Sequence, residues 1–529
     1  MKVRKSSLIL ALLFLLGAKL SLGQWGPIVR LSETDSASYA GQFGIPLVVS
    51  GQYIHAIWND YCAGTRCLVY RRSTDNGVNW SSLVQLTKCI PYRYFFTYST
   101  YYAGFNLHLA YDSSGIRYRR SSDNGATWST RDSLGRAYGN FRFAANSAGF
   151  VFVVWEDWYN DTIYAKRSTD NGANWSSPVP TAKPYSWDND NVLIADFPPY
   201  VYFVYASHDT IFCKRSTNNG ATWETTVPVV ATSGLYNFIF TADNRNRLHL
   251  AWTDNHTGNP EVYYIRSTNN GASWSGTTRL TISNGTSMYW IGAKDDIVYL
   301  TYYNYSTYKT RRRSFDGGAT WEDESDWPTS YTPYYLQIAL GEANRVHLAA
   351  LHYTYPTGYS IAYFRSKNSG TTWPDSAIPI SNTDNLYRYP RAIALAGGNV
   401  HVLWEDYQYG NYEIFYRRGV GLAGLEESEN LTSHSLNNTV LTAHPNPFKS
   451  QTAIRFTLPA ETKVSLKIYD ISGKLVKSFP TNHQTLTPNH CFIWDGTDDF
   501  GRKLPAGIYL LRLRASDGAT EIKEFIILR

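Results

Sequence analysis

Short apolar segments recur along most of the chain, each alternating with polar residues at a period of two. IHAIW (54–58), LHLAY (107–111), VFVVW (151–155), VYFVY (201–205), LHLAW (248–252), VYLTY (298–302), VHLAA (346–350) and VHVLW (400–404) are eight versions of one strand. After each of the first seven comes a second strand ending in a YRRS-like run. A glycine-bearing turn and a tryptophan follow, then a short outer strand such as SSLVQLT (81–87). Two-residue alternation bounded by Gly, Asn and Asp predicts β-structure throughout, and no segment carries the helical period.

The turn itself is a repeat. It is written RRSTDNGVNWSS (71–82), RRSSDNGATWST (119–130), KRSTDNGANWSS (166–177), KRSTNNGATWET (214–225), IRSTNNGASWSG (265–276), RRSFDGGATWED (312–323) and FRSKNSGTTWPD (364–375). Successive copies lie 47 to 52 residues apart, the period of a four-stranded propeller blade. The eighth unit stops at FYRRG (415–419) without turn or outer strand, while QWGPIVRLS (24–32) resembles the segment that follows the first turn. This predicts an eight-bladed propeller over 24–420 in which one blade takes strands from both ends, removing exposed sheet edges. Seven blades is the alternative.

The seven copies resemble the Asp-box, or bacterial neuraminidase (BNR), repeat of sialidase-type propellers, S-x-D-x-G-x-x-W, across roughly 25–418. The fold class implied is all-β: a sialidase-like β-propeller followed by a small immunoglobulin-like sandwich. The Asp position holds Asp75, Asp123, Asp170 and Asp316 but Asn218, Asn269 and Asn368 elsewhere. Asn bonds a turn backbone as Asp does, yet it cannot act as a general acid or base. Gly77 and its equivalents permit positive φ, and burying Trp80, Trp128, Trp175, Trp223, Trp274, Trp321 or Trp373 is worth about 2–3 kcal/mol each. The repeat is therefore expected to be structural. The resemblance also implies a sialidase site of three arginines, a Tyr activated by Glu, and an acid/base Asp, on a propeller of six blades. The first of those arginines belongs to an (F/Y)-R-I-P motif. Here QFGIPLVV keeps Phe43, Ile45 and Pro46 with Gly44 in its place, so the clamp lacks a member. A non-catalytic protein binding glycan or peptide is the expectation, and a divergent sialidase-type glycoside hydrolase the alternative. No catalytic residue, cofactor or metal is assigned.

A site would lie on the face opposite the turns. Asp60, Asp157, Asp254 and Asp406 occupy one register after four of the repeated strands, with Glu156 and Glu405 beside two of them. They form either a discontinuous acidic rim for a cation or sugar hydroxyls, or caps of the following turns. Arg142 and Arg391, with Arg388 close by, fall on predicted innermost strands. Each either pairs with a carboxylate or binds an anion.

The remaining composition narrows the class. Forty-two Tyr and 17 Trp suit strands and surfaces that stack on sugars or peptides. The start, MKVRKSSLILALLFLLGAKLSLGQ, has the basic, apolar and small-residue layout of a signal peptide over 1–23, and no later segment is long and apolar enough to span a membrane. Loss of Lys2, Arg4, Lys5 and Lys19 would take the formal charge from +6 to +2, leaving no basic stripe for nucleic acid. Cys62 and Cys67 are placed for a disulfide across a hairpin loop; Cys89, Cys213 and Cys491 are too far apart in sequence to pair by inspection.

After a polar linker (421–443), residues 444–529 alternate again, with PNPF, ISGK and LPAG turns predicting a small antiparallel sandwich. Pro445, Asn446, Pro447, Phe448, Tyr469, Asp470, Gly473, Trp494, Gly496, Asp498, Gly501, Gly507, Ile508 and Tyr509 resemble the type A C-terminal sorting domain of bacterial type IX secretion, related in pattern to the immunoglobulin-like domain of flagellar hook-capping proteins. That resemblance implies outer-membrane secretion machinery as a partner, and a secreted or cell-surface location in a Gram-negative-type bacterium.

Overall fold

A computed structural model describes residues 25–422 and 441–528 apart from short stretches, the longest being 88–97, 183–191 and 328–335. The predicted signal peptide, most of the linker, Phe43, Gly44, Ile45 and Cys89 fall outside the described residues, as do the side chains of Cys62 and Arg388. Every regular element among the described residues is a β-strand. No helix among them is long and apolar enough to cross a membrane. The chain divides into one compact unit of residues 25–395 and 400–419, and a second containing 420–529.

The first unit is a series of eight antiparallel sheets, named I to VIII in chain order. Sheet I consists of Leu47–Ser50, Tyr53–Cys62, Thr65–Ser73 and Val84–Gln85, and the others repeat that order. Sheet VI has three strands, with only a bridge between Arg311 and Ser325 where a fourth would start. Sheet VIII consists of Arg388–Ala396, Asn399–Gln408 and Asn411–Gly419, and its fourth strand is Val29–Arg30. Val29 pairs with Tyr416 and Arg30 with Phe415, extended by a Trp25–Gly419 bridge.

Adjacent sheets share their cores because one face of every central strand is apolar. Leu47, Trp58 and Val69 of sheet I pack with Leu403, Ile414 and Tyr416 of sheet VIII. Phe152 and Ala165 of sheet III pack with Val201 and Phe203 of sheet IV, and Tyr299 of sheet VI with Leu348 and Phe364 of sheet VII. Sheet VII meets sheet VIII where Trp25 stands edge-on to Tyr363 at 5.0 Å.

The seven corner turns share one geometry. In the first, Ser73 Oγ donates to Asp75 Oδ1 at 2.8 Å and accepts from Gly77 N at 2.7 Å, while Asp75 accepts from Asn79 N at 2.9 Å. Asn218, Asn269 and Asn368 repeat this, and their amides donate instead to Thr222, Ser273 and Thr372 hydroxyls at 2.8–2.9 Å. Substituting Asn for Asp costs the turn nothing because only the acceptor oxygen is required. Asp123, Asp170 and Asp316 sit at about 2, below the ordinary carboxylate value. For Asp170 the largest cause is the Asn174 amide; for the other two partial burial opposes, and bonds from the following Thr and the corner Ser prevail.

Each turn is also held by the sheet before it. Arg72, Arg120, Arg167, Arg215, Arg266 and Arg313 donate to Asn124, Asn171, Asn219, Asn270, Gly317 and Ser369 carbonyls of the next turn at 2.7–3.3 Å. Arg418 of sheet VIII does the same to Asn76 of sheet I at 3.1 Å. Beneath the turns, Tyr70, Tyr118, Tyr264 and Tyr416 stand edge-on to Trp128, Trp175, Trp321 and Trp80 at 4.8–5.2 Å. Their hydroxyls lie 2.7–2.8 Å from Nδ1 of His55, His108, His249 and His401, and a fifth pair joins His347 to Tyr363. Gly172 shows why the turn needs glycine: its φ is +77°, and a Cβ would overlap the Tyr118 hydroxyl. Trp223, Trp274 and Trp373 occupy the same corners but meet different neighbours. Trp274 faces Phe240 at 6.4 Å and Trp373 stands edge-on to Trp327.

The second unit contains two sheets over one core. Leu441–His444, Thr452–Thr457 and Asn489–Trp494 form one; Thr462–Asp470, Leu475–Ser478, Gly507–Ala515 and Thr520–Ile527 form most of the other. Phe448, Ile454, Leu466, Trp494, Leu511 and Leu513 are buried between them. Cys67 is disulfide-bonded, whereas Cys213 is free and buried and Cys491 free and exposed.

Candidate functional site

The corner turns leave the third strand of each sheet at one end, so the hairpins joining second and third strands lie at the other. Four predicted aspartates are found on those hairpins in equal register: Asp60 opposite Cys67, Asp157 opposite Thr162, Asp254 opposite Glu261 and Asp406 opposite Glu413. Two of them cap turns. Asp157 accepts from Asn160 Nδ2 at 2.7 Å, and Asp254 from the His256 amide at 2.8 Å with His256 Nδ1 at 3.2 Å. Glu156, beside Asp157, is half-buried.

Asp60 and Asp406 are buried, and they flank the junction of sheets VIII and I. Asp60 accepts from Trp58 Nε1 and Ser38 Oγ, both at 3.1 Å. Glu413, also buried, binds Arg30 at 2.8 Å and accepts from the Ser32 hydroxyl. Burial pushes the Glu413 carboxyl up; Ser32 and Arg30 pull against that, and Asp60 adds to it. Arg391, on the first strand of sheet VIII, is paired with buried Glu405 at 2.7 Å. Arg142 lies on the first strand of sheet III, opposite Val154, and donates to the Phe141 carbonyl. Two of the four buried carboxylates at the junction, Glu405 and Glu413, are thus ion-paired with arginines.

Over this buried layer lies a group of tyrosines that the sequence pattern did not single out. A strap at residues 38–39 joins the two sheets: Ser38 N donates to the Tyr412 carbonyl at 2.7 Å, and Tyr39 and Asn59 exchange backbone bonds at 2.8 and 2.9 Å. It sets the Tyr39 ring 5.4 Å from Tyr412, which also meets Tyr389 at 6.2 Å and Tyr407 at 5.2 Å. Arg66 lies 4.7 Å above the Tyr39 ring and Arg391 5.2 Å above Tyr389. Tyr407 is 38 % exposed and the other three rings are half-buried, so the patch presents aromatic faces rather than closing on itself. The available signal was tyrosine density in YRYP (387–390) and YQYGNY (407–412), both at hairpin ends of the eighth unit.

A hydrolytic pair of sialidase type would need a phenol eased toward ionisation. Tyr302 donates to Glu324 at 3.1 Å, but burial, then the Glu324 charge, push its ionisation up, the reverse of activation. Among the described residues no cluster of His, Cys, Asp and Glu is arranged to hold a metal ion.

In the second unit the predicted signature residues hold the sandwich together. Phe448 N bonds the Ile526 carbonyl at 2.9 Å, and Asn446 Oδ1 accepts from Ile526 N at 2.9 Å, fixing the PNPF segment to the last strand. Trp494 packs against Phe448 and Tyr509 at 5.5 and 5.9 Å. Residues 446–519 match the FlgD Ig-like domain. No curated protein matches the chain. Among solved structures, the polysaccharide lyase Uly1 is 10% identical, with a TM-score of 0.44, covering 75% of this chain and 100% of its own. A PL25 ulvan lyase bound to a glucuronyl-rhamnose sulfate is 10% identical, with a TM-score of 0.41 and coverages of 68% and 98%. PorZ, a surface component of the type IX secretion system of Porphyromonas gingivalis, is 10% identical, with a TM-score of 0.25 and coverages of 91% and 75%. The match covers most strands of the second unit, all but Leu441–His444 and Thr520–Ile527, and does not extend to the eight sheets.

Proposed function

We propose that the protein is an exported, non-catalytic glycan-binding protein whose first unit is a closed, eight-bladed Asp-box propeller. Closure is supported by the Val29–Arg30 strand in sheet VIII and by the Arg418–Asn76 bond between the last and first sheets. The observation that carries the binding function is the tyrosine patch of Tyr39, Tyr389, Tyr407 and Tyr412, with Arg66 and Arg391 at its edges. Aromatic faces stack on the C–H faces of sugars, and guanidinium groups serve hydroxyl or carboxylate oxygens. The Arg30–Glu413 and Arg391–Glu405 pairs beneath fix the patch.

A glycan array probed with the full mature chain is expected to retain a restricted set of glycans. Tyr412→Ala and Tyr389→Ala should each weaken retention at least tenfold, equivalent to about 1.4 kcal/mol. Retention unchanged in both variants would remove the patch from the reading. Turnover of a fluorogenic sialoside would favour the divergent hydrolase instead.

The FlgD Ig-like domain is proposed to act as a sorting domain that directs type IX export, with the residues of 1–23 removed as a signal peptide and Cys62 as the partner of Cys67. Deleting 444–529 is expected to leave the protein inside the cell envelope, seen by fractionation. Normal release of the truncated chain would refute the export role.

A further inference from the structure

The chain has six Asn–Gly pairs, and five of them are corner turns: Asn76–Gly77, Asn124–Gly125, Asn171–Gly172, Asn219–Gly220 and Asn270–Gly271. Backbone shape selects them. Each asparagine holds φ between +53° and +59° and each glycine between +69° and +80°, a combination that few other pairs adopt without strain. The side-chain amide itself is not required, because Gly317 and Ser369 stand in the asparagine position of the other two corners at φ +67° and +55°.

Asn–Gly is also the pairing in which asparagine is chemically weakest. The glycine nitrogen gives up its proton and attacks the asparagine Cγ, the Cγ–Nδ2 bond breaks and ammonia leaves. Water then opens the resulting succinimide to aspartate or isoaspartate. Glycine has no Cβ to obstruct the attack. Isoaspartate would add a backbone carbon to the turn and shift the glycine off its seat.

The fold occupies the attacking group in every one of these corners. In the second, Gly125 N donates to Ser121 Oγ at 2.7 Å, and the Asn124 carbonyl accepts from Arg72 of the preceding sheet at 2.9 Å. The same two bonds recur in the other four, at 2.7–2.9 Å for the serine and 2.8–3.3 Å for the arginine. Both the N–H and the C=O of the reacting peptide group are therefore held, and attack requires the corner to open first.

We propose that the five corner asparagines are latent deamidation sites, kept closed by the corner serine and the arginine of the preceding sheet. Loss of an amide is then a covalent record that a corner has opened, and the clasp between sheets protects the chain chemically as well as holding it together. This reading is independent of what the tyrosine patch binds.

The test follows each corner amide by mass-spectrometric peptide mapping while the full mature protein stands at mildly alkaline pH, folded or in urea. The unfolded chain is expected to lose all five amides at comparable rates, and the folded protein to lose each at least roughly tenfold more slowly. Ser121→Ala removes the acceptor of the Gly125 N–H and should speed loss at Asn124 by roughly fivefold or more, while the other four corners keep the wild-type rate, a sign that the variant is folded. Ser121→Thr keeps a hydroxyl there and should restore protection. Arg72→Ala, which leaves the serine in place, should expose Asn124 with the same selectivity. Loss from the folded wild-type protein as fast as from the unfolded chain overturns the proposal. So does a wild-type rate at Asn124 in whichever of Ser121→Ala and Arg72→Ala is folded, because the two bonds would then not be what protects the amide.

Discussion

Tyr118→Ala is expected to destabilise the eight-sheet unit by about 3–5 kcal/mol, measured by urea denaturation, with glycan retention at the tyrosine patch unaltered. Tyr118 is fully buried in sheet II, and its ring stands at 80° to Trp175 of sheet III, 5.1 Å away. Its hydroxyl lies 2.7 Å from His108 Nδ1 and directly under Gly172. Removing the ring therefore loses core packing in one sheet and the seat of the corner turn in the next. The collapse that would repair the cavity is blocked, because the turn is already fixed by Ser168, Asp170 and the Arg120 clasp. Trp175→Ala should act in the same direction but less strongly, since Trp175 is only half-buried and contributes an edge-to-face contact of about 0.5–1.5 kcal/mol besides its buried area. A Trp175→Ala protein that folded normally but lost glycan would show that corner and site had been wrongly separated. A Tyr118→Ala protein as stable as wild type would show that the corners do not tie neighbouring sheets together.

The repeat was legible because each sheet needs the same local devices at the same offsets: an alternating strand, a serine and acceptor for the turn, a glycine at positive φ, and a tryptophan. These are short-range requirements, and a single sequence displays them seven times. The Asn218, Asn269 and Asn368 copies even disclosed that the acceptor oxygen, not acidity, was the requirement. The corner's second half was not legible. The clasp from Arg72 to Asn124 and the seat of Trp128 on Tyr70 join positions about one repeat apart, and alternation alone does not say which sheet faces which. The histidines were visible in IHAIW and LHLAY as polar residues on an otherwise apolar strand, and only the cross-strand register pairs them with tyrosines. The candidate site divides likewise. Arg391 and the aspartates followed from strand register, but the tyrosine patch depends on the strap at 38–39, which crosses between the two ends of the unit. Nothing in the periodicity of residues 24–46 marks that crossing.

Lowering the pH from 7 to 4.5 is expected to unfold the eight-sheet unit, chiefly through its buried histidines. His55, His108 and His347 are buried beneath the corners, and burial, followed by nearby Arg72, Arg120 and Arg365 respectively, holds them at about 3, 4 and 3. His249 is lowered as well, with Asp243 resisting the effect of burial. In the unfolded chain each would titrate near 6.5, so the unfolded state takes up these protons first. The stability that neutral histidines confer is therefore complete above about 6.5 and is lost as pH falls toward the folded values. Each site costs about 1.4 kcal/mol per pH unit, so three sites cost on the order of 8 kcal/mol by pH 4.5, comparable with the whole stability of a typical domain. The corner aspartates work in a different window. Asp123, Asp170 and Asp316, held at about 2, lose their contribution only as pH falls below about 4. Melting temperature should accordingly drop steeply between pH 6 and 4.5, and His108→Gln should flatten that slope by one proton even if it lowers stability at pH 7. A melting temperature independent of pH over that interval would mean that the histidines are solvated or charged in the folded protein, and that the seats beneath the corners are not dry.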